Sequence, residues 1–476
     1  MKRASGILMH ISSLNGDYSI GSFGKEAKNF VDFLSDSGFS VWQVLPFCLP
    51  DECNSPYKSF GAFSGNPYFI DLPTLYEKGL ISKEELENAK QETPYLCEFD
   101  RLKEERYVLL EKASLNFKDN NALNSFYENF PEVLRFCEFM ALKFANGNLP
   151  HDKWTVFVPD KNALRTWKFI EYEFFTEWFD IKSYANLKGV KIIGDMPIYV
   201  DYDSSDLYFN KKQFLLDANG NPKLVAGVPP DYFSKDGQLW GNPLYDWKEM
   251  KSNGYAWWKK RIEFHKKLFD GVRIDHFRAF QDYYAVKPTE TTAKNGKWKR
   301  GPRLSFINEI KKLCGDFTVI AEDLGLITDE VRTLVKKSGF PGMKVLQFGF
   351  LGEENSPHLP HNYENNCVAY TGTHDNNTLL GYIWECEQNT RNVVMDYFNI
   401  PQDKWNESYD KILIKMLSSS AGLTIFPMQD LLKYGADTRL NTPGIPQNNW
   451  AFRITESGLN LIDRNFFKFY NKLYSR

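Results

Sequence analysis

The residues of this sequence best suited to chemistry lie in three short stretches, each placing a carboxylate just beyond an apolar run. In "GVRIDHFR" (271–278), Val272 and Ile274 fall on one face of a strand, while Arg273 and Asp275 fall together on the other. In "VIAEDLG" (319–325), Glu322 and Asp323 follow an apolar stem and Gly325 marks the turn. In "YTGTHDNNT" (370–378), His374 and Asp375 stand at the same height. A lone arginine and aspartate make an ion pair or a strand-end cap. Three carboxylates at strand ends carry a buried-charge cost that a structural role explains poorly, and together they favour catalysis.

Two chemistries use such an array. Carboxylates and histidines could hold a divalent metal, or a pair of carboxylates could cleave a glycosidic bond as nucleophile and general acid/base. The metal reading is the weaker, because the first strand offers only His10 and Arg273 beside Asp275 repels a cation. An arginine instead keeps a carboxylate ionised and oriented, which suits a nucleophile.

The elements that must position these groups are legible as eight short apolar runs: "GILMHISSL" (6–14), "VWQVLP" (41–46), "VKIIGDMPIYV" (190–200), "GVRIDHF" (271–277), "TVIAEDLG" (318–325), "MKVLQFGF" (343–350), "CVAYTGTHD" (367–375) and "LTIFPMQD" (423–430). Alternating with helical patterns, they predict an α/β chain folded as a closed (β/α)8 TIM-type barrel, with the active site at the C-terminal strand ends. The spacing is uneven. Amphipathic patterns such as "SKEELENAKQE" and "DKNALRTWKFIEYEFFTEWFD" fill an expected inserted helical subdomain at 66–188. A second insertion, 201–258, is rich in Gly, Pro, Asp and aromatics with little periodicity, and it is expected to be a substrate-binding loop region of a single catalytic chain, 1–476.

Composition narrows the partners. A net charge of −3 over 476 residues, without a basic block, argues against a nucleic-acid groove or an anionic membrane surface. The aromatic share of 16% serves core packing and leaves rings for stacking on flat ligands. The seven cysteines are scattered without a C-x-x-C pair and read as thiols in a reducing compartment. The start "MKRASGILMHISSL" has too short and broken an apolar part for a signal peptide, and no run reaches a membrane span, so a cytoplasmic protein is expected. Isolated residues such as His10, Trp154 and His265 read as packing or surface.

In this order, "GVRIDHFR", "IAEDLG" and "THDNNT" resemble the three catalytic strands of the 4-α-glucanotransferases called amylomaltases or disproportionating enzymes, glycoside hydrolase family 77, relatives of the α-amylases. The likeness extends through "GSFG", "QVLP", "SPY", "SGNPYFIDL", "GDMPIYV", "GVPPDYFSKDGQLWGNPLYDW", "RLNTPG" and "NNWAFR". The long segment is the most specific. Ala279 and Leu440 depart from the expected Gly and Met without touching a proposed catalytic group.

The resemblance implies Asp275 as nucleophile, Glu322 as general acid/base, and Asp375 as the carboxylate that binds sugar hydroxyls and stabilises the oxocarbenium-like transition state. Arg273 and His374 would support them. Ser55, Tyr57, Asp195, Asp231, Phe233, Gln238, Trp240 and Asn441 would bind substrate, with maltooligosaccharides and α-1,4-glucans as donor and acceptor and with no cofactor or metal. Glu322 must then stay protonated near neutral pH, through desolvation and neighbouring carboxylates, while Asp275 stays ionised beside Arg273. Tyr57 and Trp240 would offer flat faces to glucose rings. An α-amylase-type hydrolase would use the same carboxylates but pass the intermediate to water. A non-catalytic glucan-binding protein would not need all three.

Overall fold

Eight parallel strands close into a barrel in the computed structural model, which describes residues 2–230, 234–401 and 408–476. In chain order the strands are β1 (Ala4–Leu8), β2 (Val41–Gln43), β3 (Lys191–Met196), β4 (Val225–Val228), β5 (Gln238–Pro243), β6 (Gly271–Ile274), β7 (Asp282–Val286), β8 (Lys297–Arg300), β9 (Thr318–Ala321), β10 (Gly342–Val345), β11 (Cys367–Tyr370) and β12 (Leu423–Pro427). The barrel closes in the order β1-β12-β11-β10-β9-β6-β3-β2. Each of the eight apolar runs supplies one barrel strand, so the (β/α)8 expectation holds.

The barrel strands are short, buried on both faces and rich in Val, Ile and Ala, as a parallel sheet covered by helices requires. Close approach fixes one of them. A Cβ on Gly194 would stand 2.4 Å from the Phe269 ring, so glycine at this point lets the segment entering β6 pack against β3, one residue before Asp195. Phe269 in turn meets Trp178 edge-on, with ring centroids 5.7 Å apart.

Between β2 and β3 the chain forms helices Leu72–Glu77, Lys83–Asn88, Phe99–Asn116, Asn120–Asn129, Pro131–Ala145 and Lys161–Leu187. The last begins where Asp160 accepts hydrogen bonds from the amides of Asn162 and Ala163. Its residues Trp167, Ile170, Phe174, Trp178 and Ile181, spaced by three and four, form the buried stripe. Two buried glutamates of this helix hold the preceding loop: Glu171 accepts from the Gly65 amide at 2.9 Å and Glu177 from the Asp71 amide at 2.8 Å. That loop carries Ser55 and Tyr57 on its approach from β2.

The region after β3 differs from its irregular sequence pattern. It contributes β4 and β5 to a four-stranded antiparallel sheet of order β5-β4-β7-β8, completed by the excursion that follows β6. Gly227, Gly241, Pro243 and a register shift between Val225 and Gly227 hide the two-residue period that would have announced these strands. This sheet brings Gln238 and Trp240 to the barrel mouth.

Candidate active site

The site begins in the register of three adjacent strands. Asp195 of β3 pairs across from Arg273 of β6, and Arg273 pairs across from Ile320 of β9. The ladder continues beyond the strands, with the Asp275 amide donating to Met196 O at 3.0 Å and the Glu322 amide to Ile274 O at 3.1 Å. Asp275 and Glu322 therefore leave neighbouring strand ends at matching heights.

Arg273 forks between two carboxylates. Its Nη1 donates to Asp195 Oδ1 and Oδ2 at 2.9 and 2.7 Å, and its Nη2 donates to Asp275 Oδ1 at 2.8 Å. Asp195 is buried and locks the guanidinium from behind, while Asp275 faces the cleft. Such charge-assisted bonds fix the orientation of Asp275.

Glu322 has the opposite environment. It is buried, and burial first and the nearby Asp275 second push its carboxyl up to about 8, against Arg273 and two backbone amides. Those amides are His276, donating to Oε2 at 2.6 Å, and Leu324, donating to Oε1 at 2.8 Å. His276 reaches its position with a left-handed backbone, φ 48°, in the turn that follows β6. Asp275 and Glu322 thus stand in different environments, one held by a guanidinium and the other buried with its pKa raised.

The third carboxylate comes from the loop after β11. Asp375 Oδ1 accepts from Asn441 Nδ2 at 2.6 Å, and Oδ2 lies 3.3 Å from His374 Nε2. Its position deep between walls would raise its pKa, but His374, by charge and hydrogen bond, followed by Asn441 and Arg273, outweighs that and lowers it to about 2. The side chain still faces open space, being 46% exposed. Tyr57 joins the two halves: its hydroxyl donates to Asp195 Oδ2 at 2.7 Å, lies 3.4 Å from His374 Nδ1, and its ring stacks on His374 at 5.0 Å.

These groups border a cleft of about 350 Å³ whose walls include Ser55, Tyr57, Gln238, Trp240, Asp275, His374, Asp375 and Asn441. Carboxylates, amides and aromatic rings share its walls, with Gln238 bonded to Trp240 and Tyr57 stacked on His374. A larger groove, about 900 Å³, runs on another face past Trp247, Arg303 and Lys337, and none of the three strand-end carboxylates lines it.

A family model described as 4-alpha-glucanotransferase matches residues 9–459. The chain belongs to the 4-alpha-glucanotransferase family. It is 42% identical to the 4-alpha-glucanotransferase of Clostridium butyricum over 469 residues, covering 94% of this chain and 96% of that one. Its identity to the Streptococcus pneumoniae 4-alpha-glucanotransferase is 41% over 486 residues, covering 96% and 94%. Among solved structures it is similar to the amylomaltase from Streptococcus agalactiae in complex with acarbose, with a TM-score of 0.95 and 37% identity over 100% of both chains. The transfer of α-1,4-glucan segments is the activity of the 4-alpha-glucanotransferase family.

Within this 4-alpha-glucanotransferase family member, eight of the residues expected at the site line the cleft. Arg273 and Asp195 lie behind that lining, bonded to Asp275 and Tyr57, and Glu322 leaves the strand end next to that of Asp275. Asp231 and Phe233 lie outside the described residues. Sequence reasoning did not single out Trp450, which is buried beside Tyr57 and His374 at centroid distances of 5.9 and 5.7 Å. It also passed over Arg439, whose guanidinium donates to the Asp375 backbone carbonyl, and Tyr199, 6.4 Å from Trp240. Trp450 and Arg439 sit in "NNWAFR" and "RLNTPG", so their segments carried a signal although the residues had no role assigned. His10, a packing residue by sequence, is buried against Phe69, and burial and the nearby His374 push its pKa down to about 3.

Proposed function

We propose that this chain transfers α-1,4-glucan segments between maltooligosaccharides by a retaining double displacement through a glycosyl ester of Asp275. The Asp275 carboxylate attacks the anomeric carbon, the bond from that carbon to the leaving 4-oxygen breaks, and Glu322 gives its proton to that oxygen. Glu322, now ionised, takes the proton from the 4-hydroxyl of an acceptor glucan. The acceptor oxygen then bonds to the anomeric carbon and Asp275 is released. Asp375, held by Asn441 and His374, binds sugar hydroxyls and stabilises the positive charge that grows on the ring.

The observation that carries this reading is the division made around Arg273: its Nη2 sits 2.8 Å from Asp275, while burial and Asp275 push Glu322 up to about 8. Ser55, Tyr57, Gln238 and Trp240 supply the sugar-binding walls. In the same reading, 201–258 is a substrate-binding region, and 66–188 a helical subdomain. Asp231 and Phe233 are proposed substrate contacts on their sequence position. Seven free thiols support a cytoplasmic setting. Among the described residues no helix is long and apolar enough to cross a membrane.

The test is the product pattern from pure maltotriose. Transfer yields a ladder of shorter and longer chains plus glucose. Uniform conversion to short sugars, with no chain longer than the substrate, would assign the site to hydrolysis.

A further inference from the structure

Asp430 is a buried carboxylate for which the proposed reaction has no use. It follows β12, is completely shielded from solvent, and makes two side-chain hydrogen bonds to a single loop. Its Oδ2 accepts from Thr371 Oγ1 at 2.5 Å, and its Oδ1 accepts from the Leu379 amide at 2.8 Å. Thr371 is the first residue after β11, and Leu379 is the first residue of the helix Leu379–Glu385. Everything between these anchors is the loop that carries His374 and Asp375. Burial pushes the Asp430 carboxyl up to about 6, and among the described residues no cation lies within ion-pair distance of it. An unpaired buried carboxylate costs stability.

We propose that Asp430 is a positioning residue that closes both ends of the 371–379 loop in one fork and so fixes where Asp375 meets the sugar. This rests on the reading of Asp375 as a catalytic carboxylate. A carboxylate suits the task because each of its two oxygens accepts a strong bond, one from each end of the loop. Thr378 caps the same helix by accepting from the Gly381 amide at 3.0 Å, so helix capping alone does not require Asp430. The rest of the loop is built to transmit the constraint. Asn376 Oδ1 accepts from both the amide and the hydroxyl of Thr373 at 2.9 Å, and Gln347 Nε2 donates to Asn377 O at 2.7 Å. At Gly372 a Cβ would stand 2.7 Å from that same Gln347 nitrogen, so glycine here lets Gln347 lie close against the loop.

The experiment compares Asp430→Ala, Asp430→Asn and Thr371→Val with the wild type in maltotriose disproportionation, reading kcat, KM and Tm, and repeats Asp430→Ala in an Asp375→Ala background. If the loop moves by a fraction of its contact distances, Asp430→Ala loses about 100-fold in kcat, with KM within about twofold. Asp430→Asn keeps one acceptor for Leu379 and can donate to the Thr371 hydroxyl, so it restores kcat to within about fivefold of wild type. Thr371→Val, which removes only one anchor, loses about tenfold.

When Asp375 is already alanine, Asp430→Ala costs less than about threefold more, because the two act through one group. A folded Asp430→Ala with wild-type kcat overturns the inference, as does an undiminished loss in the Asp375→Ala background. If Asp430→Ala does not fold, Thr371→Val carries the test, and an unchanged kcat there overturns it. Full activity in Asp375→Ala alone would instead refute the role of Asp375 itself, a separate and recognisable failure.

Discussion

Arg273 donates from Nη2 to Asp275 Oδ1 at 2.8 Å, two residues along the same chain and on the same face. Its other nitrogen is held by both oxygens of Asp195, so the guanidinium cannot swing away from Asp275. Lysine offers charge without the fork. Arg273→Lys is therefore expected to lower kcat about 100-fold while KM for maltotriose changes little, measured by initial rates on folded protein. A variant with wild-type kcat would show that charge alone suffices.

The two central carboxylates should separate by donor. Asp275→Asn is expected to remove nearly all activity on maltotriose and on an α-maltosyl fluoride. Glu322→Gln should lose activity on maltotriose but keep a burst of fluoride release, since fluoride leaves without protonation. Equal losses for both variants on both donors would mean that the roles are misassigned.

The pH dependence follows from the proton on Glu322. With its pKa raised from 4.5 to about 8, kcat/KM should fall on the alkaline side as pH rises through about 8. The sign for stability is the same: a carboxyl with a raised folded-state pKa contributes fully below 4.5, and that contribution is lost as pH rises towards 8. Glu322→Gln should therefore gain Tm over wild type, with a gap that widens between pH 4.5 and 8. A gap that narrows over that window would show that the buried carboxyl is not the proton carrier.

Solvent exclusion can be tested at Trp240. Its ring meets His276 edge-on at 4.8 Å, its Nε1 donates to Gln238 Oε1 at 3.1 Å, and it forms part of the cleft wall. Transfer needs the glycosyl ester to meet a sugar hydroxyl before water. Trp240→Ala is expected to raise the ratio of glucose release to ladder formation several-fold, by product chromatography on maltotriose. If total activity falls at a constant ratio, the ring positions substrate only.

The barrel was legible because each of its strands is a short apolar run ending in a turn, and period-two spacing alone placed Arg273 and Asp275 on one face. The strand-end carboxylates followed from their position behind those runs. Other features depend on contacts that spacing does not encode. The antiparallel sheet β5-β4-β7-β8 assembles from segments on either side of β6, and its glycines and proline blur the alternation. Trp450 reaches Tyr57 and His374 across almost 400 residues of chain in one case, as the separation of their numbers shows, and no local pattern announces such a meeting. Asp430 reads locally as the end of an apolar run, and only the fold reveals that it grips both ends of the loop bearing Asp375.

The most direct measurement is the identity of the residue that carries the sugar. Glu322→Gln, supplied with α-maltosyl fluoride and no acceptor, should form the glycosyl ester and lack the base that resolves it. Rapid quench and peptide mass spectrometry should then find one maltosyl increment on the peptide containing Asp275, absent when Asp275→Asn is added. A sugar on any other residue, or no adduct while fluoride is released, would contradict the nucleophilic role of Asp275.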